Sequence, residues 1–165
     1  NQKNAPIVSN YEVTSWFEKQ SCPTIGMNIG GKTKLNFGTI KLVSSTHSSS
    51  MPDGSYGGNP GGFVIMPENG PVFYHAGDTA LHSDFKIIPL TCPKLDFAIL
   101  PMGDFFTMGY EDALIAAQWL ECNTIIACHF DTFGLIALDK DKAKSLFNKH
   151  NINLIIPKIG QIMEF

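Results

Sequence analysis

Short apolar runs alternate along the chain with longer stretches in which apolar residues recur every three or four positions. Short runs rich in β-branched and aromatic residues are typical of buried strands, and the longer spacing is typical of helices with one buried face. Strand patterns occur at residues 6–8, 34–37, 39–46, 63–66, 72–76, 95–100, 124–128 and 154–156. Helix patterns occur around Val13, Trp16 and Phe17, at residues 110–121 and 139–150, and more weakly at 80–88. The alternation predicts an α/β fold.

Turn residues and side-chain alternation add local detail to this pattern. Residues 67–71 read Pro-Glu-Asn-Gly-Pro between two strand patterns, so they predict a β-hairpin whose return strand leads to Asp78. In the run 39–46, Lys41 alternates with apolar neighbours, and we therefore expect it on the solvent face. Asn10 and Asp139 each precede a helix pattern and are suitable N-caps.

The composition indicates one domain spanning residues 1–165, because 44% hydrophobic residues suffice for one substantial core. The net charge is -3, the isoelectric point is near 5.9 and no basic stripe occurs, so neither nucleic acid nor a membrane is an expected partner. The cysteines form no C-x-x-C pair, which predicts four buried free thiols in a reducing cytoplasm. By strand alternation, Cys128 is expected to point away from the site that its neighbour His129 could form.

Two histidines and an aspartate follow predicted strands at the point where each strand ends. His47 follows the run 39–46, Asp78 follows the run 72–76, and His129 follows the run 124–128. If these strands lie in one sheet, the side chains converge on one edge, and two imidazoles with a carboxylate form a ligand set for zinc or a similar ion. The alternative is that Asp78 or Thr79 caps a helix over the weakly helical stretch.

Five motifs, in order along nearly the whole chain, resemble those of the metallo-β-lactamase superfamily. They are residues 46–50 (THSSS), 56–63 (YGGNPGGF), 74–79 (YHAGDT), 100–103 (LPMG) with 106–109 (FTMG), and 128–133 (CHFDTF). The similarity is to the bacterial and archaeal metal-dependent hydrolases of that superfamily, in a group close to the ascorbate-phosphate lactonases.

This resemblance implies a four-layer α/β/β/α sandwich with a binuclear metal centre. His47 looks like the third histidine of the first metal site, Asp78 like the catalytic carboxylate that bridges both ions, and His129 like the last histidine of the second site. The implied cofactors are two divalent metal ions, zinc first, with manganese and nickel as alternatives. The implied reaction uses a metal-bound hydroxide to cleave an ester, lactone or phosphodiester bond of a small molecule. The alternative function is a non-catalytic domain that kept the fold and lost its metal site.

The chain departs from this family at the signature H-x-H-x-D-H, which does not occur in the sequence. The resemblance therefore implies that the chain is the C-terminal part of the enzyme and holds part of each metal site, since three ligands are too few for two ions. The expected partner is an N-terminal fragment of the same protein that carries the signature. Self-association into a homo-oligomer is the alternative.

Several further residues near the predicted strand ends are weaker candidates. The glycine-rich residues 57–62 precede a strand, whereas a phosphate-binding loop precedes a helix, so they predict a tight loop near the site and leave a nucleotide-binding function with little support. Asp104 is a candidate for proton transfer, with plain solvation as its alternative. Phe105 and Phe106 either line a pocket or cover the core.

The remaining histidines have different expected surroundings. His75 belongs to the same strand pattern as Tyr74 and is expected to support the site by packing or hydrogen bonding. His82 and His150 fall on or near predicted helix surfaces, and we expect both to be solvated.

Overall fold

Strands and helices alternate through residues 5–165, the part of the chain that this computed structural model describes. The strands are β1 Ile7–Asn10, β2 Thr24–Met27, β3 Lys32–Leu35, β4 Gly38–Ser44, β5 Gly61–Pro67, β6 Phe73–His75, β7 Phe97–Pro101, β8 Thr124–Cys128 and β9 Asn153–Ile155. The α-helices are α1 Tyr11–Glu18, α2 Ile88–Thr91, α3 Tyr110–Trp119 and α4 Lys140–Lys149, and short 3-10 helices occur at Ser83–Ile87 and Gly134–Ile136.

Seven strands form one mixed sheet in the order β3-β4-β5-β6-β7-β8-β9. Neighbours from β3 to β6 pair antiparallel, and neighbours from β6 to β9 pair parallel. Strands β4, β6, β7 and β8 therefore run in the same direction and end at the same edge. The prediction that the strands before His47, Asp78 and His129 share one sheet is confirmed.

One row of apolar residues crosses the sheet on the face that α3 and α4 cover. The pairing register aligns Val64, Tyr74, Ala98, Ile125 and Leu154 from β5 to β9. All five are buried, and they belong to one continuous hydrophobic core. Burial of this apolar area is the main force that holds the helices on the sheet.

Lys41 lies in the same row, because it pairs with Val64 across β4 and β5. It is only 6% exposed, and its Nζ donates a hydrogen bond of 2.7 Å to Thr91 Oγ1 in α2. The expectation that Lys41 faces solvent was wrong. Alternation correctly placed Lys41 on the face of β4 opposite to that of Ile40 and Leu42. However, both faces of β4 are covered. The aliphatic part of the Lys41 side chain is therefore buried, and its ammonium group reaches the Thr91 hydroxyl.

The second face of the large sheet is partly open. Phe63, Ile65 and Phe73 lie on it and, together with Val8 of β1, help to line an open cavity of about 520 Å³. Strands β1 and β2 form a separate parallel sheet that packs with α1. The order of helices, large sheet, small sheet and α1 agrees with the predicted four-layer arrangement.

Asn10 joins α1 to the glycine-rich loop. Its Oδ1 accepts a hydrogen bond of 2.9 Å from Val13 N–H, so the predicted N-cap is confirmed. Its Nδ2 donates to Gly57 O at 2.8 Å and to Asn59 O at 3.1 Å. Gly58 has φ +79, and a Cβ there would collide with the Asn10 side chain. Glycine is therefore required for the loop to pack this tightly.

One local prediction of secondary structure was wrong, and one strand was not predicted. Residues 80–88 do not form one helix, because a 3-10 helix begins only at Ser83 and α2 begins at Ile88 with a proline in its first turn. Strand β2 was not predicted, since it is only four residues long and contains Gly26. By contrast, α4 and its N-cap Asp139 match the prediction, with Asp139 Oδ1 accepting from Lys142 N–H at 3.1 Å.

All four cysteines are free thiols, as predicted, but the expected burial holds for Cys122 alone. It was wrong for Cys22, Cys92 and Cys128, which are partly exposed. None of the helices within residues 5–165 combines the length and apolar character needed to span a bilayer.

Candidate metal centre

Asp78 follows β6 on a tight turn. Gly77 has φ +65, a left-handed conformation that glycine adopts without steric cost. Its N–H donates a hydrogen bond of 3.1 Å to His75 Nδ1, so His75 supports the turn that presents Asp78. The Asp78 side chain is 50% exposed. Because no helix begins at residue 80, the alternative that Asp78 caps a helix is wrong.

His129 follows β8 and faces Asp78. Its Nε2 lies 3.6 Å from Asp78 Oδ2, and its side chain is 28% exposed. The backbone of His129 is left-handed, with φ +51, which costs an L-residue about 1–2 kcal/mol. Such conformations cluster at functional sites, where the surrounding structure holds them.

The distance between His129 Nε2 and Asp78 Oδ2 suits a shared metal ion. At 3.6 Å, the two atoms are too far apart for a good hydrogen bond. Two donors on one tetrahedral ion lie about 3.4 Å apart when each bond is about 2.1 Å. The donor types, one imidazole nitrogen and one carboxylate oxygen, are also those of zinc sites. The pair therefore fits a divalent ion.

His129 Nδ1 is the second unusual atom of this pair. It is buried and has no hydrogen-bond partner within residues 5–165. A histidine that binds a metal through one nitrogen generally donates its other N–H to a carboxylate, carbonyl or water. Within the described residues, His129 Nδ1 therefore lacks the acceptor that a metal-binding histidine generally has.

The loop that carries His47 is tied to the segment after Asp78. Thr46 O accepts a hydrogen bond of 3.0 Å from Ala80 N–H, but the exposed His47 ring lies with Nδ1 3.0 Å from Ser48 O. Over the described residues, no group of three His, Cys, Asp or Glu side chains is arranged to hold a metal. The structure thus brings Asp78 and His129 together and places His47 on an adjacent loop with its ring engaged elsewhere.

Thr79 holds these two loops together, a role that the sequence did not reveal. It is fully buried. Its Oγ1 accepts a hydrogen bond of 2.9 Å from Thr46 N–H and donates one of 2.8 Å to Ala80 O. Its position directly after Asp78 was a signal, but we interpreted it as a possible helix cap. Thr79 instead fixes the position of the His47 loop relative to Asp78.

Cys128 is partly buried. Burial raises the pKa of its thiol to about 12, and the negative charge of Asp78 contributes to this rise. By strand alternation its side chain lies on the face of the sheet opposite to that of Ala127, which belongs to the helix-covered core. That Cys128 points away from the site stays a prediction.

The loop after β7 presents its aromatic residues to solvent. Phe105 is 66% exposed and Phe106 is 49% exposed, so the alternative that they cover the core is wrong. Asp104 Oδ1 accepts a hydrogen bond of 2.8 Å from Phe105 N–H. Asp104 thus stabilises this loop, and its role in proton transfer stays a prediction.

The two histidines expected to be solvated differ from each other. His82 is partly buried, with its ring centroid 4.5 Å from that of Phe85. Desolvation lowers the pKa of His82, while the charge of Asp84 opposes this shift. The expectation was therefore wrong for His82. It is confirmed for His150, which is exposed and whose Nδ1 lies 3.4 Å from Gln118 Nε2.

Known proteins share this fold and much of this sequence. A family model described as the β-lactamase superfamily domain matches residues 3–130. The UPF0173 metal-dependent hydrolase of Christiangramia forsetii is 49% identical over 160 residues, which cover 97% of this chain and 70% of the relative. The protein of the same name from Flavobacterium johnsoniae is 50% identical, with 98% and 71% covered.

Solved structures agree with these relatives. Igni18, a novel metallo hydrolase from Ignicoccus hospitalis, matches with a TM-score of 0.84 at 30% identity, over 98% of this chain and 70% of that one. An isothiocyanate hydrolase from Delia radicum gut bacteria matches with a TM-score of 0.73 at 21% identity, over 99% of this chain and 68% of that one, and shows the fold alone.

These similarities define the class of protein. The chain has the α/β fold of the metallo-β-lactamase superfamily, as the sequence predicted. Within that superfamily, it belongs to the family of UPF0173 metal-dependent hydrolases. The alignments span nearly the whole chain and lend no support to its expected placement as a C-terminal portion, which stays a prediction.

Proposed function

We propose that the protein is a metal-dependent hydrolase that cleaves an ester, lactone or phosphodiester bond of a small molecule. The observation that carries this proposal is the separation of 3.6 Å between His129 Nε2 and Asp78 Oδ2, at the edge where β6 and β8 end. The names of the relatives, metal-dependent hydrolase and metallo hydrolase, support the same class of chemistry.

In this proposal, Asp78 and His129 would hold the metal, and His47 would join them once its ring leaves Ser48 O. A bound divalent ion would supply an activated water and a Lewis acid at neutral pH. Two such ions are proposed, zinc first, with manganese and nickel as alternatives. The half-exposed Asp78 carboxylate leaves the centre open to a substrate.

We further infer that the remaining ligands come from a segment carrying H-x-H-x-D-H, as an N-terminal fragment of the same protein. Three donors do not complete two sites, and the buried Nδ1 of His129 needs an acceptor. The cavity lined by Phe63, Ile65 and Phe73 is apolar and open, and such a surface is stabilised by a covering partner. A homo-oligomer is the alternative cover, and a cytoplasmic location stays a prediction.

A non-catalytic domain of the same fold is the second candidate function. The orientation of the His47 ring favours this second candidate. The ring contacts Ser48 O in its own loop, so only Asp78 and His129 of the three predicted ligands lie close together. In this alternative, the His129–Asp78 pair is an ordinary contact between an imidazole and a carboxylate.

Hydrolysis assays on metal-loaded protein expressed from its complete coding sequence distinguish the two candidates. The panel is p-nitrophenyl acetate, γ-butyrolactone, bis-p-nitrophenyl phosphate and a chromogenic β-lactam, each with zinc, manganese or nickel. We expect turnover of an ester, lactone or phosphodiester that falls to background in Asp78→Asn and in His129→Gln. His150→Gln is the matched control, since this exposed histidine lies at the C-terminal end of α4, and it should retain full activity.

Two results would contradict the proposal. One is the absence of hydrolysis in folded, metal-loaded protein across the panel. The other is activity that Asp78→Asn and His129→Gln leave unchanged. Hydrolysis of the β-lactam well above the other substrates would contradict the proposed bond classes while leaving the metal centre in place.

A further inference from the structure

Three exposed phenylalanines lie at the same edge of the sheet as Asp78 and His129. Phe105, Phe106 and Phe133 are 66%, 49% and 49% exposed, and we call them the aromatic platform. Scattered apolar residues are common on protein surfaces, but a contiguous apolar patch marks an interaction site.

The rings of the aromatic platform form one continuous surface, although they come from two loops. The ring centroids of Phe105 and Phe106 are 4.8 Å apart with planes at 76°, and those of Phe106 and Phe133 are 6.1 Å apart at 62°. Both are edge-to-face contacts, the arrangement that aromatic pairs prefer. Phe106 is the central ring, since it contacts both others.

Both loops of the platform contact the candidate metal centre. Met108 N–H donates a hydrogen bond of 2.9 Å to the carbonyl of Thr79, the residue after Asp78. Gly103 packs directly on the carbonyl of His129, where a Cβ would not fit. Phe133 lies on the segment that follows His129. The platform is therefore beside the Asp78–His129 pair.

The backbone of these loops holds the rings outward at a conformational cost. Asp104, Phe105 and Asp131 have φ of +58, +55 and +60, each costing about 1–2 kcal/mol for an L-residue. Asp104 N–H donates to Met108 O at 3.2 Å, and Asp131 Oδ1 accepts from Leu138 N–H at 2.9 Å. Strain retained in loops beside a candidate site indicates that presenting the rings has a function.

The charges around the platform restrict what it can bind. Asp104, on the loop that carries Phe105 and Phe106, is an exposed carboxylate, and Lys140 is already engaged with Asp131 at 2.6 Å. An anionic group on the platform would meet the Asp104 carboxylate without a free cation among the groups just named. The surface therefore favours an uncharged, apolar ligand.

We propose that the aromatic platform binds an uncharged aromatic or aliphatic substituent of the substrate, next to the bond that is cleaved at the Asp78–His129 centre. That the bound group belongs to a substrate rests on the proposed function. Binding of such a group to the aromatic platform does not depend on it. Phe106 is the residue that determines this specificity, because it is the central ring.

Saturation-transfer NMR with probes that are not hydrolysed tests the binding directly. The probes are N-benzylacetamide and N-methylacetamide, which differ in the aromatic group. We expect N-benzylacetamide to bind and N-methylacetamide not to bind. Phe106→Ala should raise the dissociation constant of N-benzylacetamide about tenfold, because the free energy of one aromatic contact corresponds to about a factor of ten in affinity. Phe37→Ala is the matched control, because Phe37 is 50% exposed and precedes β4 at the opposite edge of the sheet.

A parallel kinetic comparison uses p-nitrophenyl phenylacetate and p-nitrophenyl acetate. The preference in kcat/KM for the phenylacetate should fall about tenfold in Phe106→Ala and stay unchanged in Phe37→Ala. Probe binding without hydrolysis of any ester, lactone or phosphodiester would support the platform and refute the proposed function.

Three results would overturn the proposal of a substrate platform. The first is equal binding of the two probes, and the second is benzyl-probe binding that Phe106→Ala leaves intact. The third is a dimer in sedimentation velocity that Phe106→Ala dissociates, together with no probe binding, which would identify the platform as an interface between copies of the chain.

Discussion

Replacing Tyr74 with phenylalanine is expected to stabilise the fold. Tyr74 is fully buried, and its hydroxyl has no hydrogen-bond partner in the described part of the chain. A buried hydroxyl without a partner costs about 1–3 kcal/mol in protein mutational data. Tyr74→Phe removes that group and keeps the ring, including its edge-to-face contact with Phe85 at 6.0 Å. We therefore expect the free energy of unfolding to rise by about 1–2 kcal/mol.

The ring itself is expected to be essential, because Tyr74 lies between Val64 and Ala98 in the core row. Tyr74→Ala should lower the free energy of unfolding by about 3–5 kcal/mol through the cavity it leaves. The opposite signs of these two variants separate the contribution of the ring from that of the hydroxyl.

The pH dependence gives a second test of the same hydroxyl. Burial raises the pKa of Tyr74 above its ordinary value of 10.0. Below pH 10 the Tyr74 hydroxyl is protonated in both the folded and the unfolded chain. As the pH rises above 10, the hydroxyl loses its proton in the unfolded chain before it does so in the folded one. The folded state of the wild type should therefore lose stability as pH rises above about 10, and Tyr74→Phe should lack this part of the loss.

Urea unfolding followed by circular dichroism measures these changes. Tyr11→Phe is the control, since Tyr11 is 72% exposed and its replacement should change the free energy of unfolding by no more than about 0.5 kcal/mol. Destabilisation of more than about 1 kcal/mol by Tyr74→Phe would refute the reasoning, because it would show that the hydroxyl has a buried partner such as an ordered water.

Two further predictions concern Asn10 and His82. Asn10→Ala removes an N-cap and two hydrogen bonds to the glycine-rich loop, so thermal or urea unfolding should show a loss of about 2–3 kcal/mol; a loss below about 0.5 kcal/mol would contradict this. Desolvation lowers the pKa of His82 below 6.5, so its part of the stability should be lost as pH falls below 6.5. His82→Gln should reduce the difference in urea midpoint between pH 7.5 and 5, and an unchanged difference would contradict the reasoning.

The convergence of β4, β6 and β8 on one edge could be predicted because each strand has a clear local pattern. Asp78 and His129 follow directly from those strand ends, and the pair is found there. The left-handed φ of His129 and the orientation of the His47 ring were not predictable in this way. The position of the loop that carries His47 also depends on a contact distant in sequence, the hydrogen bond from Thr46 N–H to Thr79 Oγ1.

The error at Lys41 has a clear physical origin. Alternation assigned its side chain to a face of the sheet, but not to what covers that face. Lys41 is buried because α2 lies over its face and Thr91 accepts its hydrogen bond. The alternation of residues along a strand shows which face of the sheet a side chain is on. Whether that side chain is buried depends on which elements pack against that face.

Zinc binding measured by isothermal titration calorimetry tests most directly whether Asp78 and His129 form a metal centre. The measurement uses protein expressed from its complete coding sequence, together with Asp78→Asn, His129→Gln and the control His150→Gln. Zinc should bind to the wild type and to His150→Gln with equal affinity. Loss of either proposed ligand should weaken binding by more than about 100-fold, since partners outside the ligand set alone account for about 10–100-fold. Zinc affinity unchanged in both Asp78→Asn and His129→Gln, or no zinc bound by the folded wild type, would contradict the metal centre.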